Sequence, residues 1–391
     1  MKRKILLIPL ALLLAVSLVV TGCPAAPPTA PEAEAEIAEL EADIAKLESG
    51  AKSKDAQITK LQKDLAAAKK VTAPEVLKWR MQTMGERGTW FDKLHVTSFE
   101  KPLEAMSGGR IQIETFGIDE IVPAYECHAA LQQGLIELVS DSPGWHSGTV
   151  PADDIDNGSP GSFRTGGDAF TFFDDFGYME WKQKNVFDAL GIKNLVIMPQ
   201  CGECVWSAEP IKSLDDLKGK KIRTPGIANE ILASLGASMV FVAGAEVYMA
   251  GMTGILDAST RGGFVEMEGA KLYEPFPYAL FPPVYDLAII RMLMPMDLWN
   301  TLPEDLQEIL LTGMKGGALG FYTAYIENDI ALARMIEEGK VKGVYTLPPE
   351  DFAKFQAAKM AQWDTISALS ALDAEAVEML MDFVKIRGYV D

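Results

Sequence analysis

Between residues 220 and 261 the chain reads KKIRTPGIANEILASLGASMVFVAGAEVYMAGMTGILDASTR, and this stretch constrains the fold more than any other. A short strand over 221–223 stops at Thr224-Pro225-Gly226. A helical run follows over 228–235, and Gly236 stands where a helix C′ glycine belongs. A second strand is expected over 238–242, a second helix around 246–252 and a third strand over 255–258. Strand, helix, strand, helix, strand in so short a span specifies a parallel α/β sheet. In such sheets ligands bind beyond the carboxyl ends of the strands, which is where Arg223 and Ser259-Thr260-Arg261 fall. The stretch reads as half of a binding cleft with an anion-seeking arginine at its lip.

The other half is legible as an echo. AALQQGLIELVS at 129–140 and MAGMTGILDAS at 249–259 both place an alanine four residues before a glycine, then two aliphatics and an acid. A glycine-terminated helix feeding a strand thus occurs twice, which predicts two lobes of like architecture. Around these anchors, strands are expected over 76–84, 110–115, 194–199 and 287–294, and helices over 89–106, 169–190, 296–311 and 317–338. Residues 153–165 (DDIDNGSPGSFRT) read as a polar, glycine-rich loop. A chain of 391 residues has room for two lobes plus appendages.

The appendages are N-terminal. Lys2-Arg3-Lys4 is a basic leader segment, and 5–20 is an apolar run too short and too early for a spanning helix. It ends in Val20-Thr21-Gly22-Cys23, which resembles the bacterial lipobox, so Cys23 is expected to become the diacylated N-terminus. The remainder would sit outside the cytoplasmic membrane, where disulfides are permitted. PAAPPTAP at 24–31 makes 23–31 an extended tether. Over 32–72 apolar residues recur in heptad spacing (Ile37, Leu40, Ile44, Leu47, then Ile58, Leu61, Leu65), predicting a helical stalk whose seam offers self-association. Loss of the first 22 residues takes the net charge from −19 to −22. Nucleic acid and anionic membrane surfaces repel such a chain. A small anionic ligand is not excluded, because one buried arginine acts locally.

KIRTPG, then LGA, GAEVYMA and GILDA, with LWNTLPEDLQ and the terminal GYV, resemble the solute-binding proteins of tripartite ATP-independent periplasmic (TRAP) transporters. The likeness spans roughly 76–390 and is nearest the branch that binds 2-oxo acids and related monocarboxylates. It implies a two-lobed, periplasmic-binding-protein-like α/β fold with a hinge and a long helix. Lobe 1 would comprise about 73–198 and 289–320, and lobe 2 about 199–288 and 321–391. It implies no enzyme, a small organic carboxylate as ligand, and transporter membrane subunits as partners. In that family KxRxPG carries the arginine that grips the ligand carboxylate, which maps to Arg223. The glutamine on the preceding strand matches Gln200, and an aromatic after the first lobe's strand matches Trp145. Where the branch has an acid and a tryptophan linked to a ligand-bridging metal ion, this chain has Thr260 and Arg261. Hard cations want charged oxygens. The substitution therefore argues against a cofactor metal and points Arg261 at a second anionic or hydroxyl group.

The competing readings are a sensor subunit of the same fold and an enzyme built on the cysteines. Cys127-His128 with Cys201 and Cys204 of CGEC offers a zinc ligand set, and CxxC a redox pair. The plain alternative is a local disulfide or two thiols near the cleft. No nucleophile elbow or metalloprotease pattern accompanies His95, His128 and His146.

Overall fold

The structure, a computed structural model, describes residues 76–325 and 327–389. The leader with Cys23, the tether and the stalk lie outside the described residues. The strands are β1 (Leu77–Gln82), β2 (Ile111–Phe116), β3 (Leu138–Asp141), β4 (Ile192–Pro199), β5 (Glu203–Ser207), β6 (Lys221–Arg223), β7 (Ser238–Met239), β8 (Ala258–Ser259), β9 (Tyr278–Tyr285), β10 (Ile289–Pro295) and β11 (Gly343–Thr346). They form two sheets, β2-β1-β3-β10-β4 and β11-β9-β5-β8-β6-β7.

Each sheet is built on the same unit. In the first, β1 lies parallel between β2 and β3; in the second, β6 lies parallel between β7 and β8. An antiparallel strand then flanks β3 (β10) and β8 (β5). The echoed segments occupy equivalent places. Helices Cys127–Gln132 and Val247–Met252 each end just before a glycine with positive φ, Gly134 at 65° and Gly254 at 72°. The next amide in each case bonds back to the helix, Leu135 to Ala130 O and Ile255 to Ala250 O, both at 2.9 Å. Glycine alone takes this left-handed turn without strain, so the sequence echo marks a shared backbone need.

The lobes exchange strands. β4 leaves the first sheet and continues as β5 of the second, and β9 leaves the second and continues as β10 of the first. The crossings bond to each other: Gln200 N–H donates to Ala288 O at 2.8 Å and Ala288 N–H to Cys201 O at 3.0 Å. This short ladder is the hinge. Both sheets are covered on two faces, which is why their strands read as apolar runs rather than as alternation.

Several elements differ from expectation. The strand expected over 76–84 is Leu77–Gln82, and those expected over 238–242 and 255–258 shrink to two-residue strands. The helix expected over 169–190 breaks at Gly177, whose φ is 83°. The helices expected over 296–311 and 317–338 are instead Met296–Thr301, Glu304–Tyr325 and Asn328–Glu337. The glycines of GMKGGALG invited a break, but they serve close packing. A Cβ on Gly313 would lie 2.5 Å from Leu103, and one on Gly317 2.5 Å from both Phe99 and the Ser98 carbonyl oxygen. Tertiary contact there outweighs the helix cost of glycine, about 1 kcal/mol. Gly317→Ala is therefore expected to destabilise by about 1–3 kcal/mol, the cost of overpacking, despite alanine's better propensity. Gly316→Ala, in open space on the exposed face, is expected to stabilise by up to about 1 kcal/mol. Denaturant melts of the pair check the opposite signs.

Residues 153–165 are not a solvated loop. Asp153–Asp156 form a helical turn in which all four side chains are buried, and Arg291 of β10 explains why. Its Nε donates to Asp141 Oδ2 at 2.7 Å, Nη1 to Asp156 Oδ2 at 2.7 Å and Nη2 to Asp153 Oδ2 at 2.7 Å. Lys182 adds a second buried cation, 2.8 Å from Asp153 and 3.2 Å from Asp156.

Candidate functional site

A cavity of about 350 Å³ opens between the lobes, walled by the loops that follow β1, β3, β6, β7 and β8. These are the carboxyl ends of the parallel strands in both sheets, as the topology demands. Arg223, the last residue of β6, lines it and is only 8% exposed. Its Nε donates to Val242 O at 3.0 Å, and Nη1 reaches Thr260 O at 3.4 Å. Burial lowers its pKa from the ordinary arginine value, Tyr125 and Glu203 pulling the other way and Arg261 adding to the repulsion. Among the described residues no carboxylate lies within salt-bridge distance of it. A desolvated, unpaired guanidinium at a cavity wall is a strong anion receptor, because its planar fork matches a carboxylate and little water competes.

The other expected residues divide. Gln200 lines the cavity from the hinge, and its Nε2 donates to the Tyr325 hydroxyl at 3.2 Å. Trp145 lines it from the first lobe and packs on Tyr125, with ring centroids 5.7 Å apart. Arg261 also lines it, but Glu86 of the first lobe takes its Nη2 at 2.5 Å and Gly244 O takes its Nη1 at 2.7 Å. The Glu86–Arg261 pair therefore clasps the lobes across the cleft. Tyr125 of the first lobe meets Phe241 of the second at the mouth, 6.2 Å between rings, with Phe241 81% exposed. Thr260 does not line the cavity. It is fully buried, its hydroxyl bonded to that of Thr224 at 2.6 Å, and it contributes its carbonyl beneath Arg223.

Four acidic lining or rim residues escaped the sequence reading: Glu86, Asp119, Glu203 and Glu266. Glu203 sits inside CGEC, where the cysteines drew the attention, and Glu266 is a helix-start acid like many others. Burial pushes the Glu203 carboxyl up to about 7, with the Glu266 charge adding and Arg223 opposing. Burial raises Glu266 as well, against Arg261 and the Gly263 N–H that donates to it at 2.9 Å.

Residues 82–368 match the family model of bacterial extracellular solute-binding protein, family 7. The chain belongs to this family. The family 7 protein is 26% identical over 304 residues to the monocarboxylate 2-oxoacid-binding periplasmic protein of a Nostoc species, covering 76% of this chain and 80% of the relative. Among solved structures it resembles the TRAP periplasmic solute-binding protein of Chromohalobacter salexigens with bound (S)-(+)-2-amino-1-propanol. That match has 25% identity, a TM-score of 0.69, and covers 80% of this chain and 96% of the other. The protein of Colwellia psychrerythraea, with bound calcium and pyruvate, shares the fold at 21% identity and a TM-score of 0.74, covering 80% and 96%. The family 7 protein is thus a two-lobed TRAP solute-binding protein of an extracytoplasmic family, and not an enzyme. No helix among the described residues is long and apolar enough to cross a membrane.

The zinc set expected from Cys127, His128, Cys201 and Cys204 does not assemble. Cys201 lies at the hinge and Cys204 in β5 of the second sheet, whereas Cys127 and His128 belong to the first lobe, and no disulfide joins the three cysteines. Burial pushes the Cys204 and Cys127 thiols upward, so neither is a ready thiolate. The donor atoms of Cys127, His128, Asp141 and His146 do gather within 4.8 Å. The two imidazoles are stacked at 3.7 Å with planes 20° apart, however, so their in-plane lone pairs do not converge on one ion. They serve Asp141 instead, His146 Nε2 at 3.0 Å and His128 Nε2 at 3.3 Å.

Proposed function

We propose that this protein captures a small organic carboxylate in the interlobe cleft and delivers it, in the closed form, to the membrane subunits of a TRAP transporter. The observation that carries the reading is Arg223: buried at the end of β6, unpaired by any carboxylate among the described residues, and facing a cavity of about 350 Å³. Gln200 and Trp145 shape the rest of the wall, Thr260 supports Arg223 from behind, and Arg261 with Glu86 holds the lobes together. A ligand-bridging metal ion is not part of this reading, because the acid that would hold it stands here as Thr260, which is fully buried and bonded to Thr224. Cys23, diacylated, would tether the protein to the membrane, and 32–72 would hold the binding body away from it as a stalk with a seam for self-association.

A thermal-shift screen tests this. Carboxylates are expected to raise the melting temperature while their amide and alcohol counterparts do not, and a chelator should leave the shift unchanged. A ligand at a hundred times its Kd adds about 2.7 kcal/mol to stability. Equal stabilisation by the uncharged counterparts would sink the reading.

A further inference from the structure

One carboxylate in the cleft, that of Glu203, is engaged by the protein only in part, through the Thr260 side chain and the Gly262 backbone. Glu203 is half-buried overall, yet its Oε2 is sealed from solvent and has no hydrogen-bond partner among the described residues. Its neighbours differ. Glu266 receives the Gly263 N–H at 2.9 Å on one oxygen and the Tyr325 hydroxyl at 3.2 Å on the other, and Glu86 pairs with Arg261. Leaving a buried acceptor unmatched costs about 1–3 kcal/mol, so an orphan at a cavity wall calls for a donor from the ligand.

The charges in the cavity say which donor. The Arg261–Glu86 clasp cancels. Arg223 then faces Glu203 and Glu266, leaving one net negative charge inside the cavity when both are ionised, with the exposed Asp119 adding another at the rim. A plain carboxylate would bring a second negative charge into this space. A zwitterion adds none, and its ammonium supplies the N–H that Glu203 lacks. We propose that the ligand is an amino acid, bound with its carboxylate on Arg223 and its ammonium on Glu203. This rests on the carboxylate reading above and narrows it.

The state of Glu203 gives the proposal a signature. Its environment pushes the carboxyl up to about 7, so near neutrality it holds a proton part of the time and must release it to meet an ammonium. The groups facing it are Glu266, Arg223, Cys204 on its own strand, Tyr285 of β9 and Tyr325. Both tyrosines and the thiol are pushed upward by burial and stay neutral in this range. Amino-acid affinity therefore rises with pH up to about 7, by as much as about tenfold per unit, and then levels. A 2-oxo or 2-hydroxy acid accepting a proton from Glu203 would show the opposite slope.

Titration calorimetry on the full chain tests this with matched sets: L-alanine, pyruvate and L-lactate; L-valine with its 2-oxo and 2-hydroxy counterparts; β-alanine and propionate. In at least one set the amino acid is expected to bind at least about tenfold more tightly than its counterparts, the worth of one charge-assisted bond. Glu203→Gln should lose about ten- to a hundredfold in that affinity, together with its pH slope, without lowering the melting temperature of the free protein. The proposal is overturned if the counterpart acids bind as well as the amino acids, if no amino acid binds, or if affinity falls with pH. The two readings fail separately. Oxo-acid binding that Arg223→Ala abolishes ends only the ammonium assignment, whereas binding indifferent to Arg223→Ala ends the carboxylate reading too.

Discussion

Arg223→Ala is expected to abolish ligand-induced stabilisation while leaving the free protein folded. Removing one partner of a desolvated charged pair costs about 2–5 kcal/mol, or roughly 30- to 4,000-fold in Kd. The fold should survive because the side chain supports two local carbonyls, Val242 O at 3.0 Å and Thr260 O at 3.4 Å, and the Tyr125 hydroxyl at the cavity wall. Losing those bonds costs about 1–2 kcal/mol, offset in part by removing a cation that burial disfavours. Arg223→Lys should fall between, keeping the charge and losing the planar fork. Melting the free and liganded variants decides it. A variant stabilised as much as the parent by the same carboxylate would mean that another group is the anchor.

Arg291→Met is expected to strike the fold instead. Arg291 is fully buried and binds Asp141, Asp153 and Asp156 at once. Without it Lys182 is the one cation left beside Asp153 and Asp156 among the described residues, with the Tyr178 hydroxyl on Asp156, and Asp141 keeps the imidazoles of His128 and His146 and the Cys127 thiol. Breaking a buried ion network by removing one partner costs about 3–5 kcal/mol, or a melting temperature lower by about 6–20 °C. The pH dependence carries a sign. Burial alone would raise Asp141 and Asp153, but Arg291, helped by His128 at Asp141 and Lys182 at Asp153, holds them below the ordinary carboxylate range. In the parent, these groups contribute stability that is present above the unfolded pKa, near 4, and lost as pH falls through the folded one. In the variant, burial drives the same groups upward, so the deficit is largest near neutrality and shrinks below about pH 4. Melts across that range test it, and a deficit that grows in acid would show that Arg291 is not the counter-charge.

Because Asp141 ends β3 and His146 closes the loop that carries Trp145, this network also sets one wall of the cleft. Its stability and the shape of the ligand site are therefore linked through a single arginine. Nothing in residues 153–165 announced this. Three aspartates in four residues beside glycine and proline look like solvated loop until the cation that buries them is known, and that cation lies over 130 residues away.

What the sequence by itself determined is the local grammar. Periodicity and turn chemistry located the β-α-β-α-β unit over 220–261, its echo after the helix at Cys127–Gln132, and Arg223 at a strand's carboxyl end, because each depends on neighbours within a few residues. The tertiary structure alone decided which lone polar groups acquire partners. It turned Thr260 inward, committed Arg261 to Glu86 across the cleft, turned the glycines of GMKGGALG into a helix contact, and left Glu203 Oε2 unmatched beside Arg223. Those outcomes depend on which distant segments share a low-dielectric space, where an unpaired charge is costly and a paired one is not. The lip arginine at 220–261 was legible early; the carboxylate that faces it, on β5 of the same sheet, was set by the strand order β5-β8-β6.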